Sequence, residues 1–253
     1  MTTDLGLEGK IVLVTGGSRG IGRAVVVRLA EAGARVLVNY VRNEQAAAET
    51  CAAVRARGGS VEAMAADVGN PGDVRRLVEW IRTGEPRLDA IVHAAAIGRF
   101  QPFLEVRPAE WSLALRTNAE ALLLLVREAL GVLASPGGAV VALSSLGSRR
   151  YVPFYGAIGV AKAALEAAVR YLAVELAPRG IRVNAVAGGM IEGETLERFP
   201  QSDALRQAIV QRTPANRLGT PEEMADVVLF LCSARSSWLV GQTLVVDGGF
   251  SLV

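Results

Sequence analysis

Tyr155 and Lys162 are the pair of side chains in this sequence best suited to moving a proton. They lie seven residues apart, which on a helix is roughly 700° of rotation and about 10 Å along the axis, so both share one face. A phenol held near an ammonium is a plausible proton donor, because the positive charge favours the phenolate and lowers the phenol's pKa. Spacing alone leaves a plainer role open, in which Tyr155 packs and Lys162 snorkels. Two serines, Ser144 and Ser145, stand just upstream at the end of the apolar run Ala139 to Leu143.

A second constellation is Thr15-Gly16-Gly17-Ser18-Arg19-Gly20-Ile21-Gly22, set between the apolar run Lys10 to Val14 and a helical pattern from Arg23 to Ala32. Glycines there let the backbone approach a pyrophosphate, and the helix N-terminus offers free N–H groups and a positive dipole end. In this strand–turn–helix setting the motif points to dinucleotide binding. An NAD site normally carries an acidic residue at the end of the second strand to hold the ribose 2′-OH. Here that stretch reads Asn39-Tyr40-Val41-Arg42, without a carboxylate. Arg19 and Arg42 would instead face a 2′-phosphate, which favours NADPH; as solvated surface charges they would carry no such meaning.

The elements that must position these residues alternate regularly. Strand patterns cover Lys10 to Val14, Arg35 to Tyr40, Ser60 to Ala66, Leu88 to Val92, Ala139 to Leu143, Ile181 to Val186 and Thr243 to Val246. Helical patterns cover Arg23 to Ala32, Glu44 to Arg57, Pro71 to Arg82, Pro108 to Arg116, Asn118 to Ala134, Tyr155 to Leu176 and Pro221 to Cys232, with Glu194 to Arg212 broken at Pro200. Seven strands nearly all separated by helices predict an α/β fold: one doubly wound Rossmann domain over residues 1–253, with a parallel sheet flanked by helices. Ligands of such sheets sit at the carboxyl ends of the strands. Gly16, Asp67, Ala94, Ser145 and Gly188 all fall there. The largest excursion, 188–219, reads as a substrate lid.

Composition narrows the function classes. Of 253 residues 51% are hydrophobic, yet no apolar run reaches the ~18 residues of a membrane span. The N-terminus lacks a charged-then-apolar signal pattern, so a cytoplasmic location is expected. Cys51 and Cys232 offer neither a disulfide framework nor metal-ligand spacing, and the single histidine, His93, rules out a histidine cluster; no metal is expected. A net charge of +2 with both signs interspersed argues against a nucleic-acid surface.

With these residues assembled, the chain resembles the short-chain dehydrogenase/reductase superfamily over essentially its whole length. The matching motifs are Thr15 to Gly22, Asp67-Val68, Asn118, Ser145, Lys162, Arg182-Val183-Asn184 and Asp247-Gly248-Gly249. Two departures stand out. Most members have Asn-Asn-Ala-Gly where this chain has His93-Ala94-Ala95-Ala96, and most carry tyrosine four residues before the lysine, where this chain has Ile158. The spacing from Tyr155 to Lys162 is similar to that of the enoyl-[acyl-carrier-protein] reductases. Ser144 to Tyr151, Gly188 to Ile191, Lys162 to Glu166, Arg170 to Ala177 and Asp247 to Leu252 resemble enoyl reductase III.

That resemblance implies an NADPH-dependent reductase of fatty-acid elongation, acting on 2-enoyl thioesters carried by acyl carrier protein and assembled as a homotetramer. The shifted tyrosine suits the reaction. In ketone reduction hydride and proton go to adjacent atoms of one carbonyl. In 2-enoyl reduction hydride lands on Cβ while charge develops on the thioester oxygen, two carbons on. Moving the acid from four to seven residues before the lysine displaces it by ~4–5 Å along the helix. Tyr155 would then donate to the enolate oxygen, and Lys162 would hold the nicotinamide ribose.

The resemblance further implies supporting roles for Ser145 and for Asn118 through a structural water; Tyr151 reads as a lid aromatic or as a second phenol over the acyl chain. Gly16, Ser18, Arg19, Gly20, Ile21 and Gly22 would hold the pyrophosphate and adenosine half, beside Tyr40 and Arg42. Asp67 and Val68 would flank adenine, and Ala94 and Ala95 would back its ribose. His93 would lie on the pocket floor. Gly188, Gly189 and Ile191 would meet the nicotinamide side. Position 193 is Gly where many relatives have Thr, with Thr195 as a substitute. Trp80, Trp111 and Trp238 read as packing residues. Two other readings stay open: reduction of a 3-oxoacyl thioester or other small ketone, and a cofactor-binding protein without turnover.

Overall fold

The computed structural model describes residues 5–199 and 202–253. Its seven strands are β1 (Ile11–Thr15), β2 (Arg35–Tyr40), β3 (Ser60–Ala65), β4 (Ala90–His93), β5 (Ala139–Ser145), β6 (Arg182–Gly188) and β7 (Thr243–Val246). All neighbours run parallel, in the order β3-β2-β1-β4-β5-β6-β7. The run Ile11-Val12-Leu13-Val14 is apolar throughout because both faces of the sheet are covered. Ile11 and Leu13 join one core, with α3 (Pro71–Gly84), α5 (Ala121–Ala129) and α6 (Gly156–Leu176). Val12 and Val14 join the other, with α1 (Gly20–Glu31), α2 (Glu44–Arg55) and α9 (Pro221–Cys232). Such two-sided burial is the signature of a parallel sheet.

Local chemistry starts these helices where the sequence predicts. Asn43 accepts from the Ala46 N–H, and Asn70 accepts from Gly72 and Asp73 ahead of Pro71. Thr220 and Glu223 form a reciprocal capping box around Pro221.

Most boundaries shift by up to three residues, and three differences bear on the site. The fourth strand runs Ala90–His93 and so reaches His93. The region read as two helices, Pro108 to Arg116 and Asn118 to Ala134, is α4 (Pro108–Leu115), a π-helical turn (Arg116–Glu120) and α5, which stops at Ala129. The π turn closes on Asn118, whose amide donates to Ala114 O at 2.8 Å and to Ile97 O at 2.7 Å, so one side chain ties the preceding helical turn to the loop after β4. The segment Glu194 to Arg212 forms α7 (Glu194–Glu197) and α8 (Ser202–Arg212). Pro200, where its break is expected, lies outside the described residues.

The excursion 188–219 is closed at its base. Ile191 pairs with Gly219, Glu192 N–H donates to Gly219 O at 2.9 Å, and Gly219 N–H donates to Met190 O at 3.1 Å. Among the described residues no helix is long and apolar enough to cross a membrane, and no group of His, Cys, Asp or Glu could hold a metal ion.

Candidate active site

The strand order reverses between β1 and β4, and the glycine turn opens there. Gly16 has φ +65°, and a Cβ on it would fall 2.8 Å from the Ala95 backbone. A Cβ on Gly22 would fall 2.2 Å from Gly16 O. Neither position tolerates a side chain. Helix α1 starts at Gly20 without a side-chain cap, leaving backbone amides for an anion. Ser18 is buried, its carbonyl held by Thr50 Oγ1 at 3.1 Å, and Ile21 packs partly into the core. This bare, amide-lined cradle fits the pyrophosphate of a dinucleotide.

The remaining candidates for cofactor contact ring the same crevice. Arg19 is exposed and pairs with Glu194 of the 188–219 excursion at 3.1 Å; Arg42 is exposed beyond the half-buried Tyr40. The Asp67 carboxylate accepts from Gly69 N–H at 2.9 Å, above the fully buried Val68. Both Ala94 and Ala95 spend their N–H groups on Thr15, on its carbonyl and hydroxyl oxygens respectively, each at 3.2 Å, so what they present to a ribose is carbonyl and methyl. On the far wall, a Cβ on Gly189 would meet Asp247 at 2.8 Å, which keeps that loop close to the sheet end. Thr195 is exposed on α7, beyond the open φ +126° of Gly193.

Tyr155 and Lys162 are both in place, with one difference of geometry. Tyr155 is the residue before α6, at φ −104° and ψ 6°, and so is not part of the helix that carries Lys162. The preceding Phe154 has φ +62°, a conformation bulky residues rarely adopt, and it swings the chain so that the Tyr155 ring lies against Gly147. A Cβ on Gly147 would come 2.5 Å from that ring, and one on Gly159 would come 2.6 Å from Gly147 O. Two glycines therefore let the end of β5, the phenol and α6 meet.

The expected lowering of the phenol's pKa is corrected by the structure. Burial raises the Tyr155 pKa above its ordinary value, with the Ser145 hydroxyl pulling in the opposite direction. Lys162 is buried and donates to Leu143 O at 2.7 Å, and burial pushes its pKa down to about 8. The phenol thus keeps its proton across the neutral range, as a donor must. Ser145 accepts from Gly147 N–H at 3.2 Å, and its carbonyl accepts from Ser148 Oγ at 2.7 Å.

Ile158 is buried and packs on Gly98, where an added Cβ would come 2.2 Å from Ile158 Cγ1. The place of the usual tyrosine is therefore filled with hydrocarbon. Tyr151, read as a lid aromatic or as a second phenol over the acyl chain, is 88% exposed on the loop after Arg150. Trp238, read as a packing residue, is 96% exposed, whereas Trp80 packs on the core and Trp111 against Phe103.

Three contributors escaped the sequence reading. Buried Glu166 accepts from Ser144 Oγ at 2.7 Å, Ser148 Oγ at 2.6 Å and Arg149 Nε at 3.0 Å, and so fixes the residues on both sides of Ser145. Its signal was a carboxylate one turn after Lys162 on the apolar side of the helix. Phe100 and Phe199 pack against Tyr155 with ring centroids 5.9 Å and 6.1 Å away. They come from separate loops, and no periodicity announces them.

His93 is fully buried beneath this site, with Nδ1 3.0 Å from Thr15 Oγ1. Burial, and next the Lys162 charge, push its pKa down to about 3, against a smaller opposing pull from the Thr117 and Asn118 carbonyls. Its Nε2 and the Asn118 Oδ1 are buried atoms that make no hydrogen bond of normal geometry among the described residues.

An unfolded histidine takes its proton near pH 6.5. Between there and about pH 3 the unfolded chain therefore holds one proton more than the folded one, and stability falls as pH falls through that window. Relative to His93→Asn, the wild type should lose up to about 1.4 kcal/mol of additional stability per pH unit there, read from urea unfolding between pH 7 and 4. Parallel profiles would mean that the ring is not held neutral.

Residues 16–251 match the family model described as "Enoyl-(Acyl carrier protein) reductase". The 1-cyclohexenylcarbonyl-CoA reductase of Streptomyces collinus is similar at 41% identity over 246 residues, covering 96% of this chain and 88% of that protein. A solved double mutant of a Serratia marcescens short-chain dehydrogenase/reductase superposes with a TM-score of 0.90 at 30% identity, over 97% of this chain and 99% of that one. The solved promiscuous reductase LugOII, described as catalysing keto-reduction at C1 during lugdunomycin biosynthesis, gives 0.89 at 37% identity, over 98% and 99%.

Proposed function

We propose that this chain, which belongs to the short-chain dehydrogenase/reductase family and is an oxidoreductase working with a nicotinamide cofactor, reduces the double bond of 2-enoyl thioesters with NADPH. The observation that carries this reading is the exchange of positions at the start of α6. Buried Ile158, four residues before Lys162, can donate nothing, and the half-buried phenol beside Ser145 is Tyr155, seven before it. The bound cofactor supplies the hydride. Tyr155 holds the proton that meets the thioester oxygen as negative charge develops there, and Ser145 shares that oxygen. One well-placed donor at developing charge contributes ~3 kcal/mol. Lys162, anchored on Leu143 O, keeps further N–H groups for the ribose hydroxyls.

The choice of NADPH rests on Arg19 and Arg42 and on the missing carboxylate after β2. The same reading takes the substrate to be carried by acyl carrier protein during fatty-acid elongation in the cytoplasm. It takes the protein to be a homotetramer, in keeping with the exposed Val160, Tyr171 and Val174 on α6. The similarity to a reductase of 1-cyclohexenylcarbonyl-CoA supports the substrate class, since that name describes a double bond conjugated with a thioester carbonyl.

The likeness to LugOII favours a second reading, reduction of a carbonyl with Tyr155 as acid. NADPH consumption separates the two. Crotonyl thioester should oxidise NADPH at least ~10-fold faster than acetoacetyl thioester, the size of preference that about 1.4 kcal/mol in the barrier gives. The reverse order would make the protein a ketoreductase.

A further inference from the structure

Phe100 and Phe199 face each other beside Tyr155 with ring centroids 4.1 Å apart and planes inclined by 40°. The two rings are held by different elements, Phe199 buried and Phe100 half-buried. Phe100 sits on a braced loop: Arg99 Nη1 and Gln101 Nε2 both donate to Glu110 at 2.9 Å, and Gln101 N–H donates to Phe154 O at 3.0 Å. Phe199 follows the four-residue α7 in the lid, tied through its own N–H to Leu196 O at 3.1 Å. The outer link of that lid is the exposed Arg19–Glu194 pair, a weak kind of contact.

From this we infer that Phe100 is the fixed jaw and Phe199 the moving jaw of a clamp that selects flat, conjugated acyl groups, within the thioester reductase reading given above. Carbon surfaces touch at about 3.5–4.0 Å, so a planar group between two rings needs about 7 Å between them, and Phe199 must withdraw by about 3 Å to admit one. Aromatic faces gain most against a flat π system lying parallel to them. An acyl group with tetrahedral ring carbons is thicker and forces the jaws further apart. The clamp therefore grips the conjugated substrate and loosens on the saturated product, whose former double-bond carbons are puckered. The Tyr155 ring lies 12° from parallel to Phe199 and closes the inner end of the slot.

Two non-reacting thioesters test the clamp without turnover. Benzoyl-CoA is flat and cyclohexanecarbonyl-CoA is puckered. Calorimetric titration into the NADPH-loaded protein should give at least ~10-fold tighter binding of benzoyl-CoA. That ratio should fall to about 2 or less in Phe199→Leu and in Phe100→Leu, with NADPH affinity unchanged in both. Equal affinities in the wild type, or a ratio that survives both substitutions, would overturn the clamp. Absence of enoyl reduction alongside an intact benzoyl preference would remove the proposed reaction and leave the clamp standing.

Discussion

Tyr155→Phe should lower kcat with an enoyl thioester by ~100-fold or more, the usual range for loss of a general acid, while leaving the Kd for NADPH within a factor of about two. The substitution removes one oxygen from a ring that keeps its packing against Gly147, Phe100 and Phe199. The nucleotide cradle is built from other residues, around Gly16 and Gly22. Stopped-flow reduction and fluorescence titration of NADPH read the two quantities separately. Because burial raises the Tyr155 pKa, the wild type should also show no loss of rate from phenol ionisation below about pH 10. Near wild-type turnover in the Tyr155→Phe protein would move the proton donor elsewhere, with Ser145 next in line.

Glu166→Ala is the largest expected loss of stability. The carboxylate is buried and accepts from two hydroxyls and one guanidinium. Truncation leaves Ser144 without its acceptor, Ser148 with only the Ser145 carbonyl and Arg149 without its carboxylate, and should cost ~3 kcal/mol, in line with breaking a buried charged network. For a chain of this size that is a fall of about 6–12 °C in Tm. Glu166→Gln is the informative contrast. Its amide oxygen still accepts from both serines, and only the ion pair to Arg149 goes. Arg149 is half exposed, so that pair is worth ~1 kcal/mol at most. Calorimetry should therefore place the glutamine variant close to the wild type and the alanine variant far below. Equal losses would mean that the ion pair, not the serine bonds, holds the network.

What could be read in advance follows from how each feature is encoded. The sheet was legible because two-sided burial forces unbroken apolar runs such as Ile11 to Val14, and because Asn43, Asn70 and Thr220 announce their helices with local hydrogen bonds. The glycine turn was legible between the end of β1 and the start of α1, and Ser145, Tyr155 and Lys162 were legible between the end of β5 and the first turns of α6. The sign of the phenol's pKa shift was not. It depends on the Phe100 and Phe199 rings that desolvate Tyr155, and these arrive from loops distant in sequence. The N-cap conformation of Tyr155 was hidden for a similar reason. It follows the positive φ of Phe154, which a phenylalanine does not announce.

The fit of Ile158 against Gly98 constrains both positions together. A methyl at position 98 and a β-branched side chain at position 158 claim the same volume, since the two would stand 2.2 Å apart. Position 98 therefore cannot take a side chain while Ile158 stays as it is. The bareness of one position and the bulk of the other are a single steric unit, so a change from glycine at 98 becomes tolerable only once the side chain at 158 has shrunk or moved.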